Sequence, residues 1–122
     1  MARGTGPVLV VDDDAAIRSA IVAGLEHAGY HVLEAPDGRV GLEQIDRVMP
    51  RAVVLDVRMP RLDGAGFVRE LQRRGLRDEI AVLMISADRD GDTSAQDVGA
   101  DVYLAKPVRL AGLLAAVEKL LD

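Results

Sequence analysis

The sequence contains no cysteine and no tryptophan. Disulfides, thiolate metal sites and cysteine nucleophiles are therefore excluded, and packing must hold the fold. Aromatic residues make up only 2% of the chain, which argues against a base-stacking or sugar-binding surface. Basic residues do not dominate either. The net charge is −5, so the electrostatic footprint of direct nucleic-acid binding is missing. No apolar run approaches the roughly 20 residues that cross a bilayer. The Gly-containing start, Met1–Pro7, lacks the apolar stretch of a signal peptide. The reading is a cytoplasmic protein without a membrane segment. The 122 residues are 49% apolar, enough for one domain over 1–122, with residues 1–6 a flexible start.

What is present is an alternation of apolar strand runs and helical patterns. Val8–Val11 is a short continuous apolar run suited to a strand buried on both faces, Ala52–Val57 is the next buried strand, and Ile80–Ile85 is the most apolar strand. His31–Ala35 is a less apolar strand expected nearer an edge, and Val102–Ala105 is the last strand. Between them, Asp14 can cap a helix with an inward stripe of Ile17, Ile21, Leu25 and Ala28, closed by Gly29. Arg39–Val48 reads as a helix with Val40, Leu42 and Ile45 inward. Asp63 and Gly64 open a helix carrying Phe67, Val68 and Leu71 and ended by Gly75. Val108–Leu121 closes the chain as a helix with Leu110, Leu113, Leu114, Val117, Leu120 and Leu121 on one stripe. Asp88–Val98 is a weak fourth helix, because Gly91, Thr93, Ser94 and its aspartates have poor helix propensity. It is expected to be short or irregular.

Serial β–α units imply an α/β fold: three layers, α/β/α, with five helices around a five-stranded parallel sheet. Right-handed crossovers leave few topologies, and the flavodoxin-like order 2-1-3-4-5 suits five strands. In such sheets ligands bind beyond the carboxyl ends of the strands. Asp12, Asp13 and Asp14 follow the first strand, Asp56 ends the third, Ser86 follows the fourth and Lys106 the fifth. Strands one, three, four and five are neighbours in that order, so these groups should meet. Several carboxylates held together repel unless one is protonated or a cation sits among them. An all-oxygen set suits Mg²⁺. A carboxylate beside it can act as a nucleophile toward phosphorus, with a lysine and a hydroxyl offsetting charge on the phosphoryl oxygens. For Asp14 the helix-cap role is preferred to a metal role.

The segments Val10-Val11-Asp12-Asp13-Asp14, Leu55-Asp56-Val57-Arg58-Met59-Pro60, Asp63-Gly64, Ile85-Ser86-Ala87 and Gly99-Ala100-Asp101-Val102-Tyr103-Leu104-Ala105-Lys106-Pro107 resemble, in order and spacing, the receiver domain of two-component response regulators. The resemblance covers nearly the whole chain. It implies that Asp56 is the phospho-acceptor, that Asp12 and Asp13 are the acidic pair, and that Mg²⁺ is held by Asp12, Asp13, Asp56 and the backbone carbonyl of Arg58, with Asp13 favoured over Asp12 as the direct ligand. It also implies that Ser86 and Lys106 contact the phosphoryl group, that Ser86 and the aromatic Tyr103 form the switch, and that the Lys106–Pro107 peptide is cis. Tyr103 also reads as an ordinary strand tyrosine. The implied partners are a histidine kinase or phosphotransfer protein as donor, an output domain or protein the sequence does not name, and a second copy of the chain in a phosphorylation-dependent homodimer. The implied role is a switch that catalyses only its own phosphorylation and dephosphorylation, not a conventional enzyme. The chain departs from the pattern between Ser86 and Lys106, which is slightly short and lacks the usual apolar residues of the fourth helix.

Competing readings are weaker. Phosphatases with an aspartate nucleophile place a second Asp two residues on, where Arg58 stands. No phosphate-cradling Gly-rich loop with Lys and Ser/Thr occurs. A receiver-shaped protein that binds partners without phosphorylation would not need the full acidic cluster. Asp88-Arg89-Asp90-Gly91-Asp92 starts like a calcium loop, but Thr93 and Gly99 stand where that loop needs Gly and Glu. His27 and His31 read as surface residues, and Met59 as core packing beside the acceptor. Arg58 and Asp88 could pair across the pocket mouth.

Overall fold

A computed structural model describes residues 6–57, 59, 62–86 and 99–122. The strands are β1 (Val8–Val11), β2 (Val32–Ala35), β3 (Ala52–Asp56), β4 (Ala81–Ser86) and β5 (Val102–Ala105). All pair in parallel in the order β2-β1-β3-β4-β5, as expected. The helices among the described residues are α1 (Ala15–His27), α2 (Gly38–Arg47), α3 (Gly64–Arg73) and α4 (Leu110–Leu121), with a 3₁₀ turn at Arg77–Glu79. Here α4 is the last of the five expected helices. The fourth, over Asp88–Val98, lies outside the described residues, as do Arg58 and the Arg58–Asp88 pair.

Side-chain alternation along each strand divides the interior in two. Leu9, Val11, Val53, Leu55, Val82 and Met84 face α2 and α3, where they meet Leu42, Ile45, Phe67, Val68 and Leu71. Val8, Val10, Val54, Leu83 and Ile85 face α1 and α4, where they meet Ile21, Leu25, Leu113 and Val117. Each fully buried aliphatic side chain contributes roughly 1.5–3 kcal/mol. The central strands β1, β3 and β4 are buried on both faces, whereas β2 and β5 are half-exposed at the edges.

Three aspartates start the first three helices. Asp14 accepts from the amides of Ala16 and Ile17, Asp37 from Val40, and Asp63 from Gly66. Such caps satisfy amides that have no partner within the helix. Gly29 (φ 101°) and Gly75 (φ 72°) take the left-handed conformation that ends α1 and α3.

Several boundaries and faces differ from expectation. Asp37 caps α2 one residue early, at Gly38, and α4 starts only at Leu110, because Arg109 is still extended. The 3₁₀ turn before β4 has no counterpart in the pattern. The α1 stripe is inward at Ile21 and Leu25, but Ile17 is 37% exposed and Ala28 is the exposed C-cap. Leu110 is likewise 41% exposed. Its methyl groups lie over α1 where Gly24 leaves no side chain; a Cβ there would sit 2.6 Å from Leu110 Cδ1. Ile17 and Leu110 instead border an apolar hollow of about 530 Å³ beside Lys106 and Pro107.

Candidate functional site

The parallel register brings the expected residues together. Val11 pairs with Leu55, so Asp12, just past β1, and Asp56, the last residue of β3, stand side by side at the strand ends. Asp56 pairs with Ile85, and Ser86 with Ala105, so Ser86 and then Lys106 each lie one step further out. Carboxylate oxygens of Asp12, Asp13 and Asp56 all fall within 4.8 Å of one another. Asp12 (2% exposed), Asp56 (5%) and Ser86 (0%) are the buried polar residues among those described, whereas Asp13 is exposed. Lys106 Nζ donates to Asp56 Oδ2 at 2.8 Å, and the Lys106–Pro107 peptide is cis.

The electrostatics follow from this crowding. Burial raises the Asp12 carboxyl above the ordinary aspartate range. The Asp14 amide, which donates to Asp12 Oδ1 at 2.8 Å, pulls it back, and the Asp56 charge raises it again. For Lys106, burial works toward a lower value, but the hydrogen bond to Asp56 and the charges of Asp56, Asp12 and Asp13 outweigh it and hold the ammonium above the ordinary lysine range. The Lys106 ammonium thus faces the charges of all three carboxylates, Asp56, Asp12 and Asp13. Among the described residues the donor set is three carboxylates, all oxygen, with no imidazole or thiol. Those properties fit a hard, oxygen-seeking divalent cation such as Mg²⁺.

A raised lysine has a definite sign in stability. The folded state holds the Lys106 proton more tightly than the unfolded chain, so the stabilisation is complete below the ordinary lysine value of 10.5 and is lost as pH rises through the higher folded value. Lys106→Met should therefore cost about 1.5–3 kcal/mol at pH 7, the range for a hydrogen bond to a charged group. The gap to the unsubstituted protein should close above pH 10.5. Urea unfolding at neutral and alkaline pH measures both; a gap that widens with pH would contradict this coupling.

Other expected residues fall into place to different degrees. Asp14 caps α1 and gives its side chain to that role. Met59 is buried in the α2/α3-side cluster, against which the half-buried Tyr103 also packs. Met84 pairs with Tyr103 and Ser86 with Ala105, so Ser86 and Tyr103 project from the same face of the sheet, one strand apart. His27 and His31 are exposed. Two residues with no expected role also reach this end of the sheet: Arg18 on α1 and Glu34 on β2, joined by an ion pair at 2.9 Å. Only their spatial register reveals them, since 16 residues separate them in sequence. Among the described residues, no helix is long and apolar enough to cross a membrane.

A family model described as the response regulator receiver domain matches residues 8–118. Response regulator MprA of Mycolicibacterium vanbaalenii is 45% identical over 117 residues, covering 93% of this chain and 49% of that protein. MprA of Mycobacterium leprae is 44% identical over 117 residues, covering 93% of this chain and 50% of that protein. The chain thus spans about half the length of the curated relatives it matches. Among solved structures, the Vibrio cholerae chemotaxis response regulator CheY4 superposes with a TM-score of 0.88 at 29% identity, covering 97% of this chain and all of that one. The receiver domain of NtrX from Brucella abortus gives 0.85 at 31% identity, covering 93% and 97%.

Proposed function

The chain belongs to the response regulator receiver domain family, and from that membership we propose that it is a phospho-accepting switch whose acceptor is Asp56, loaded with the help of Mg²⁺ at the acidic pair. The observation that carries the reading is the meeting of Asp12, Asp13 and Asp56 within one small space, with Lys106 bonded to the acceptor. The donor is a phosphohistidine on a histidine kinase or phosphotransfer protein. An Asp56 oxygen forms a bond to phosphorus as the phosphorus–nitrogen bond of the donor breaks, and the imidazole leaves with its electron pair and takes up a proton. The chain modifies itself and, with water, removes the group again; it turns over no separate substrate.

The protein's own residues prepare that transfer. Asp12, Asp13 and the backbone carbonyl of Arg58 would hold the cation, which offsets charge on the phosphoryl oxygens when bound. Lys106, already held beside Asp56, supplies a second positive charge to the same oxygens, and the Ser86 hydroxyl donates to one of them. The added group carries about −1.5 to −2 charges. Drawing Ser86 toward it frees space on the face it shares with Tyr103, so an inward swing of the ring would report the modification to β5 and α4. That face, with the expected fourth helix, is where an output domain, an output protein or a second phosphorylated copy would respond. The setting is cytoplasmic, where histidine kinases present their phosphohistidine.

The division of labour among the three consecutive aspartates is testable. Asp13→Ala should weaken Mg²⁺ binding by about 10-fold or more, because a direct ligand is lost, while Asp14→Ala should act on helix stability, costing about 1 kcal/mol, with little change in metal affinity. Titrating each variant with Mg²⁺ and unfolding each with urea separates the two effects. Equal losses of affinity would mean that the acidic pair is misplaced.

A further inference from the structure

One basic side chain reaches the acidic loop from behind without entering the pocket. Arg18 lies in the second turn of α1, with a side chain only 17% exposed. Its Nη1 donates to the backbone carbonyl of Asp12 at 2.6 Å, and its Nε donates to Glu34 Oε1 at 2.9 Å. The Asp12 amide donates to the Ala35 carbonyl at 3.2 Å, and the Asp12 carboxylate accepts from the Asp14 amide at 2.8 Å. Asp12 is thus held at its amide, its carbonyl and its side chain.

The carbonyl of Asp12 and the amide of Asp13 belong to one rigid peptide plane. Whatever holds that carbonyl fixes the direction in which the chain leaves β1, and therefore where the Asp13 side chain begins. Asp13 itself is exposed and has little packing to orient it. A guanidinium suits this task because its planar fork can serve two acceptors at once. Here one acceptor is the loop carbonyl and the other is Glu34, which stops the fork from rotating.

We propose that Arg18 is a positioning residue for the acidic pair: braced by Glu34, it fixes the Asp12–Asp13 peptide so that both carboxylates converge with Asp56 on one cation. It touches neither the phosphoryl group nor the metal. This inference rests on the reading of Asp12 and Asp13 as Mg²⁺ ligands. A purely electrostatic role for Arg18 has the opposite sign. A positive charge near a cation site repels the cation, so deleting it would tighten Mg²⁺ binding. Deleting a positioning group loosens binding, by 10–100-fold for the outer partners of metal ligands.

The test is an Mg²⁺ titration of the whole chain without a phosphoryl donor, followed by amide chemical shifts, on Arg18→Ala, Glu34→Gln and Asp13→Ala, with circular dichroism to confirm folding. Arg18→Ala should raise the Mg²⁺ Kd about 10-fold. Glu34→Gln, which removes only the brace, should raise it by less. At saturating Mg²⁺ the phosphorylation rate of Arg18→Ala with acetyl phosphate should return toward that of the unsubstituted chain, an effect on metal dependence and not on the transfer itself. An unchanged or tighter Kd for folded Arg18→Ala, beside a weakened Asp13→Ala, overturns the role of Arg18 alone. No effect from Asp13→Ala either would overturn the metal site beneath it. Should Arg18→Ala not fold, an unchanged Kd for Glu34→Gln overturns the proposal by itself.

Discussion

Asp56→Asn should abolish phosphorylation by acetyl phosphate and occupancy by beryllofluoride with Mg²⁺, and should leave the fold intact. Asparagine has nearly the same shape as aspartate but carries no anionic oxygen to attack phosphorus. Asp56 is 5% exposed at the end of β3, so a substitution of altered volume would disturb Val57 and β4 as well; the amide avoids that. The Lys106 ammonium would still find an acceptor in the amide oxygen, although a neutral one. Labelling followed by intact-mass measurement should therefore fall from the full level to background, while urea unfolding shifts little. The loss is larger than any other single change here should cause, because no neighbour can replace the acceptor. Asp12 is more deeply buried, with its carboxyl raised by burial and one oxygen bonded to the Asp14 amide. Asp13 is exposed. Residual labelling in the Asn variant would assign the nucleophile elsewhere.

The largest effect on stability is expected from Phe67→Ala. Phe67 is fully buried on α3, packed with Leu42, Leu71, Val11 and Met84 on one side of the sheet. Its ring lies so close to α2 that a Cβ on Gly41 would approach it to 3.0 Å, and the same Cβ would meet Val11 at 3.1 Å. With α2 and α3 held on the sheet by their own leucines and valines, the space left by the ring should close only in part. The expected cost is about 3–5 kcal/mol, the range for truncating a buried Phe to Ala. Out of a typical total of about 5–15 kcal/mol, that is a large share. Urea unfolding should show a lower midpoint with an unchanged slope. Where the variant remains folded, Asp56 should still accept phosphoryl groups, because Phe67 belongs to α3 and reaches neither the acidic pair nor Lys106 through any bond described. A loss below 1 kcal/mol would show that α2 and α3 are not packed through this ring.

Much of this arrangement was legible in the sequence. The apolar run Val8–Val11 and the segment Ala52–Val57 read as strands covered on both faces, and the parallel order of strands placed the residues that follow them, Asp12, Ser86 and Lys106, around Asp56. Caps were readable for the same local reason: Asp14 and Asp63 precede helical patterns and bond to amides two or three residues on. What escaped was non-local or too short for periodicity. The 3₁₀ turn at Arg77–Glu79 spans less than a helical repeat, and what anchors it is distant: Arg77 pairs with Asp101 at 3.2 Å. The bonds of Arg18 to Asp12 and Glu34 depend on β1 and β2 lying in register. Ile17 and Leu110 fit an inward stripe by spacing alone, yet each lies in the first turn of its helix, near the end of the sheet, where less of the core is left to cover it.

The most direct test of the central claim is to locate the phosphoryl group. Acetyl phosphate and Mg²⁺ should load the unsubstituted chain, and borohydride should reduce the resulting acyl phosphate to homoserine at the modified residue. Peptide mass mapping should find homoserine at position 56 only, in amounts that fall when Mg²⁺ is removed by chelation. Homoserine at position 12 or 13, or none at all under conditions that load other receiver domains, would contradict the account.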